Sequence, residues 1–194
     1  MKNLPNFSEK KSCLRKIVLG RRSGLEEKQR KIASSQAVVY FLESVDLEKT
    51  SIISLYWPIG DELDCYPLIE KLQQQGHKIC LPSIVGAKQP LVFREFSAGD
   101  KLVSAAFGTS EPQSSAKILM PDMIVLPLAG FDKQGNRLGY GKGFYDRTIA
   151  AMAKKPELCG LAFAVQELDN IPASPHDVPL EKIITENGLI ITQS

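Results

Sequence analysis

Residues 135–147 read GNRLGYGKGFYDR, a run that concentrates groups able to hold an anion. Gly135, Gly139, Gly141 and Gly143 fall within nine positions, interleaved with Arg137 and Lys142 and followed by Arg147. Glycine lets the backbone approach a ligand closely and take up dihedrals that other residues avoid. Backbone N–H groups left unpaired at a loop and a helix start point at oxygen atoms, and the cations add countercharge. Tyr140, Phe144 and Tyr145 supply flat ring surface. Two familiar phosphate templates do not fit. G-x-x-x-x-G-K-[ST] would need glycine at Asn136 and Ser or Thr at Gly143, and G-x-G-x-x-G fails on spacing. Pattern alone therefore supports an anion-binding loop and no particular nucleotide, with a glycine-rich turn bearing solvated cations as the plain alternative.

The elements around the loop must position it. MIVLPLAGF (123–131) reads as a core strand leading into the glycines, and a helix is expected from Gly143 to Lys154. Upstream, SIISLYWP (51–58) reads as a buried strand, DCYPLIEKLQQQG (64–76) as a helix stopped at Gly76, and HKICLP (77–82) as a strand. That succession is a βαβ unit and predicts a parallel sheet. PLVFREF (90–96) and CGLAFAV (159–165) are further strands, and IITENGLIIT (183–192) is a strand or hairpin with an Asn-Gly turn signal. Residues 97–117, rich in Ser, Gly and Ala, read as irregular. Two helices are expected at the N-terminus: residues 8–22, with Leu14, Ile17 and Val18 as the apolar face and Ser8 or Asn6 as cap, and residues 25–44. The expectation is one α/β domain over 1–194, a mainly parallel sheet flanked by helices with an N-terminal helical pair.

Composition narrows the function classes. The chain has 194 residues, 43% hydrophobic and 24% charged, the balance of a soluble globular protein. A net charge of +2 is too small to argue for nucleic acid. Cys13, Cys65, Cys80 and Cys159 are scattered with no C-x-x-C pair, so free thiols are expected rather than a zinc or redox site. No apolar run is long enough to cross a bilayer, and the N-terminus lacks a signal-peptide core. A cytoplasmic monomer without nucleic-acid or membrane partners is the expectation.

LPLAGFDKQGNRLGYGKGFYDR (126–147) resembles the signature of the 5-formyltetrahydrofolate cyclo-ligase family, also called 5,10-methenyltetrahydrofolate synthetase. That signature runs roughly P-x-x-A-F-D-x-x-G-x-R-L-G-x-G-x-G-[YF]-Y-D-R, and this chain differs by one residue before Phe-Asp. KKSCLR (10–15), YWPIGDELD (56–64), FGTSEP (107–112) and residues 160–188 resemble four further blocks in the same order. The resemblance implies ATP- and Mg²⁺-dependent closure of 5-formyltetrahydrofolate, with or without a polyglutamyl tail, to 5,10-methenyltetrahydrofolate, through a phosphorylated formyl group. Phosphoryl transfer needs positioning and charge neutralisation more than a protein nucleophile.

By that resemblance Lys11, Arg15, Arg137, Gly139, Gly141, Lys142 and Gly143 hold ATP phosphates, with Arg137 and Lys142 neutralising the transferring charge. Phe144 and Tyr145 border both ATP and folate, Glu62, Trp57 and Tyr140 contact the folate, and Asp146 and Asp177 hold Mg²⁺. From spacing alone, Lys11 and Arg15 fit a solvated helix face better, and Glu62 could be one of three surface carboxylates with Asp61 and Asp64. Trp57 could be core. Phe144 stands where the family often has Tyr, so no hydroxyl is available there. His176 does not imply a hydrolase, since no G-x-S-x-G elbow exists. Two other readings stay open: a sugar-phosphate site on the same fold, and a nucleic-acid module using the basic stretch Lys10–Arg30, which lacks aromatic interleaving.

Overall fold

The computed structural model describes residues 7–174 and 177–192. Asn6 and His176, both named above, lie outside the described residues. In chain order come α1 (Phe7–Ser23), α2 (Glu27–Ser44), β1 (Ile52–Ser54), α3 (Tyr66–Gln74), β2 (Lys78–Ser83) and β3 (Val92–Glu95). A short hairpin follows, β4 (Leu102–Ser104) and β5 (Ser110–Pro112), then β6 (Met123–Pro127). A second hairpin pairs β7 (Gly130–Phe131) with β8 (Arg137–Leu138). The chain ends with α4 (Phe144–Ala151), β9 (Glu157–Leu161), β10 (Lys182–Thr185) and β11 (Gly188–Ile191).

Seven strands form one sheet in the order β11-β10-β9-β6-β1-β2-β3. The five inner strands are parallel, as the βαβ reading predicts, and the two edges are antiparallel. Alternation along the strands assigns each apolar residue to a face. Met123 and Val125 pack with Phe41 of α2 and Leu68 and Leu72 of α3. Ile124 and Leu126 turn to the opposite face, with Ile149 of α4 and Met152 just after it. The sheet is thus the middle layer, covered on both faces as parallel sheets require. From β1 the chain winds one way to β2 and then returns to β6 on β1's other side. The carboxyl ends of β1 and β6 flank that reversal, where open α/β sheets leave a crevice.

Several expected elements differ in detail. The two N-terminal helices are present but pack apart: α1 lies on β7 and residues 164–166, while α2 covers β10, β11 and α3. Val18 is fully buried on α1 and Leu14 packs beside it as expected, but Ile17 is 44% exposed and falls off that stripe. The strand at 51–58 leaves the ladder early. Its last sheet bond runs from the Leu55 amide to the Cys80 carbonyl, and Tyr56 and Trp57 become crevice wall. The stretch at 97–117 is not wholly irregular, because it folds into the β4–β5 hairpin, with Phe107 at its tip in left-handed backbone (φ 61°). The Asn-Gly signal marks the β10–β11 hairpin, where Gly188 has φ 123°.

Candidate active site

One cavity of about 620 Å³ opens at the carboxyl ends of β1 and β6. All fourteen residues named in the sequence as site candidates line it, including Lys11 and Arg15 from a helix that precedes the sheet. The spacing of the α1 cations explains this. At 3.6 residues per turn, Lys11, Arg15, Val18 and Arg22 fall within roughly 60° of arc. Val18 anchors that stripe in the core, so the three cations beside it are aimed at the cavity and not at solvent. Sequence reasoning named the first two and missed Arg22, although its place seven residues after Arg15 puts it on the same line.

The glycine run divides its work. Gly135 (φ 82°) closes the β7–β8 hairpin, away from the cavity lining, and its carbonyl accepts the Leu180 N–H at 2.9 Å. Gly143 (φ 64°) is the left-handed residue from which α4 starts. The first turn of α4 lies along the cavity wall, where its amides have no partner within the helix. The loop is braced from both sides. Arg15 Nε donates to the Gly139 carbonyl at 2.6 Å, and Arg147 Nη1 donates to the Lys142 carbonyl at 2.8 Å. Arg147 is therefore a brace for the loop backbone. Asp132, fully buried, organises the hairpin by accepting the amides of Gln134, Asn136 and Ile171.

Charges in the cavity are mostly paired. Arg137 meets Asp146 Oδ1 at 2.5 Å and donates to the Val178 carbonyl. Burial lowers the Arg137 pKa, and the Asp146 charge offsets part of that. Lys11 meets Asp177 Oδ2 at 2.5 Å. Burial pushes the Asp177 carboxyl up, but the hydrogen bonds from Lys11 and the Ser174 amide outweigh it, and the net shift is downward. Lys142 differs: its ammonium lies 5.0 Å from the Phe107 ring centroid, and no carboxylate ion pair is found for it among the described residues.

Rings and carboxylates form the other end. Glu62 is 8% exposed, accepts the Ile59 N–H at 2.9 Å and is held by the Tyr140 hydroxyl. Burial raises its pKa, with the Tyr140 and Ile59 hydrogen bonds pulling it back. It is not one of three surface acids: Asp61 pairs with Arg22, and Asp64 Oδ1 accepts the Tyr66 N–H at the start of α3. Trp57 serves both readings, since its ring meets Tyr66 and Phe96 edge-on and also lines the cavity. Phe144 stacks obliquely near Phe107, with 6.1 Å between centroids, which makes Phe107 a cavity ring that sequence reasoning did not single out. Tyr145 packs against the α4-side core. The four cysteines are free thiols, and burial pushes Cys80 and Cys159 up to about 12, leaving them unreactive. No described helix is long and apolar enough to cross a membrane.

Known proteins resemble this chain along nearly its whole length. The profile of the 5-formyltetrahydrofolate cyclo-ligase family matches residues 7–186. The 5-formyltetrahydrofolate cyclo-ligase of Haemophilus influenzae is 30% identical over 183 residues, covering 91% of this chain and 98% of that one. That of Mycolicibacterium smegmatis is 31% identical over 189 residues, covering 93% and 96%. Among solved structures, the 5,10-methenyltetrahydrofolate synthetase of Aquifex aeolicus superposes with a TM-score of 0.81 at 29% identity, covering 95% of this chain and 93% of that one. With the family profile spanning α1 to the β10–β11 turn and relatives matched over nearly their whole lengths, this chain belongs to the 5-formyltetrahydrofolate cyclo-ligase family.

Proposed function

We propose that residues 1–194 act as one domain, as a cytoplasmic monomer, closing 5-formyltetrahydrofolate to 5,10-methenyltetrahydrofolate with ATP and Mg²⁺ and releasing ADP and phosphate. The observation that carries this is a single cavity with cations and a helix start at one end and a buried carboxylate with aromatic walls at the other. Its 620 Å³ falls within the usual range for small-molecule sites, and its two ends suit a polyphosphate and a pterin.

The chemistry asks little of the protein beyond placement. The formyl oxygen attacks the γ-phosphorus, forming an O–P bond as the bond to ADP breaks. N10 then attacks the formyl carbon and loses its proton. The new C–N bond replaces the C–O bond, and the oxygen leaves as part of phosphate. Arg137 and Lys142 neutralise charge on the transferring group, while Lys11, Arg15 and the 139–143 backbone hold the remaining phosphates. Glu62, Trp57, Tyr140, Phe144 and Tyr145 border the folate, with Phe144 and Tyr145 at the junction with ATP. A polyglutamyl tail would extend out of the open side.

The residues present fit magnesium. Asp146 and Asp177 face the same cavity, and this ion takes one or two carboxylates plus phosphate oxygens. Bound there, it would supply charge neutralisation on the phosphates. Both aspartates are paired with cations of the cavity, so phosphate oxygens can take over the cations as the metal takes up the carboxylates. A sugar-phosphate site would not require Lys11 and Arg15 at the cavity. A nucleic-acid stripe along Lys10–Arg30 is disfavoured by the inward aim of Lys11, Arg15 and Arg22.

The oxygen balance supplies the test. With ¹⁸O in the formyl group, each turnover is expected to deliver one labelled oxygen into inorganic phosphate, read by mass spectrometry. Label lost to water, with unlabelled phosphate, would contradict phosphorylation of the formyl oxygen.

A further inference from the structure

Arg22 brings a third α1 cation to the cavity, and it does not reach the glycine loop's backbone. It is 6% exposed. Its Nη1 donates to the Tyr140 hydroxyl at 2.7 Å, and its Nη2 meets Asp61 Oδ1 at 2.5 Å. The other Asp61 oxygen accepts the Ser23 hydroxyl at 2.6 Å. The Tyr140 hydroxyl in turn donates to Glu62 Oε1, and Glu62 Oε2 accepts the Ile59 N–H at 2.9 Å.

This chain of bonds has a direction. A guanidinium has donors and no acceptor, whereas a phenol has one proton to give. Once Tyr140 receives Arg22, its own proton must go elsewhere, and it goes to Glu62. Both Glu62 oxygens are then held by donors, which fixes the plane of the carboxylate. Asp61 cancels the Arg22 charge, so the relay delivers orientation to Glu62 without adding net positive charge beside it. Arg22 Nε is buried with no partner among the described residues.

We propose that Arg22 is a positioning residue for the folate end of the site, acting through Tyr140 to hold Glu62 as an acceptor for ring N–H groups of the substrate. The proposal rests on the cyclo-ligase reading of the cavity and on Glu62 as a substrate contact. Burial favours the protonated form of Glu62, so removing the relay also turns this acceptor towards a donor.

The experiment compares wild type, Tyr140→Phe, Arg22→Met and the double variant under steady-state turnover of 5-formyltetrahydrofolate. Each single variant is expected to raise KM for the folate about tenfold, with KM for ATP within about twofold of wild type. Because both changes break one relay, the double variant should match a single one and not multiply the effects. Tyr140→Phe keeps its ring and loop, so its result stands even where Arg22→Met does not fold. An unchanged folate KM in Tyr140→Phe, effects that multiply, or an equal rise in KM for ATP would overturn the relay. A folded wild type with no turnover would overturn the cyclo-ligase reading beneath it.

Discussion

Lys142→Ala is expected to lower kcat by about 10²–10³-fold while melting within about 2 °C of wild type. The structure separates these two effects. Lys142 is exposed at its loop position, and its ammonium rests over a ring instead of a carboxylate, so truncation removes no buried pair. Among the described residues no carboxylate claims its charge, which leaves it available to a phosphate. Arg137 makes the contrast. Its side chain is 8% exposed and is shared between Asp146 and the Val178 carbonyl. Arg137→Ala should cut kcat at least as far, and should also cost about 2 kcal/mol of stability, because it leaves a carbonyl and a half-exposed carboxylate without their donor. Steady-state kinetics beside thermal melts read both quantities. Full activity in Lys142→Ala would remove the loop from the reaction.

Gly135→Ala should be the most damaging small change to the fold. A Cβ there would lie 2.2 Å from the Leu180 carbonyl oxygen and 3.0 Å from Thr192 Oγ1, in backbone at φ 82° that L-residues avoid. Backbone oxygen cannot swing aside as a flexible side chain can. Left-handed strain and the forced shift together cost about 3 kcal/mol or more, a fall of roughly 10 °C in Tm for a chain of this size. The consequence reaches the site. Gly135 pins residues 177–180 against the hairpin that carries Arg137, and that segment holds Asp177 and the carbonyl of Val178. The folded fraction of Gly135→Ala should accordingly bind ATP more weakly. Its melt by circular dichroism, with KM for ATP on the remaining enzyme, checks both parts. A Tm equal to wild type would show that the hairpin does not depend on this turn.

These two glycine-loop residues show how far the sequence could be read. Four glycines among cations marked the place of the site, because backbone exposure and charge are local properties. Which glycine touches ligand space and which closes a turn depended on Leu180 and Thr192, dozens of residues away, and no local pattern encodes that. Asp132 is similar: its acceptors look like an ordinary Asx turn in sequence, but the Ile171 amide that completes its shell comes from a distant loop. Arg22 was within reach. Its position on the Lys11–Arg15 line could be read from helical periodicity, but Ile17, assigned to the apolar face with Leu14 and Val18, is exposed and blurred the buried stripe. Glu62 was named through the family resemblance. Its separation from Asp61 and Asp64 appeared only when α1 and α3 were seen to claim those two acids. The sheet was legible because parallel strands buried on both faces are apolar throughout, whereas the β4–β5 hairpin, short and half-exposed, carries no such signal.

The central claim is that this cavity couples ATP phosphates to a formyl-folate. Formation of 5,10-methenyltetrahydrofolate, followed by its absorbance with ATP and Mg²⁺ each present or omitted, tests it most directly. The account predicts product only when 5-formyltetrahydrofolate, ATP and Mg²⁺ are all present. Product without ATP, or none from folded protein with all three, would contradict it.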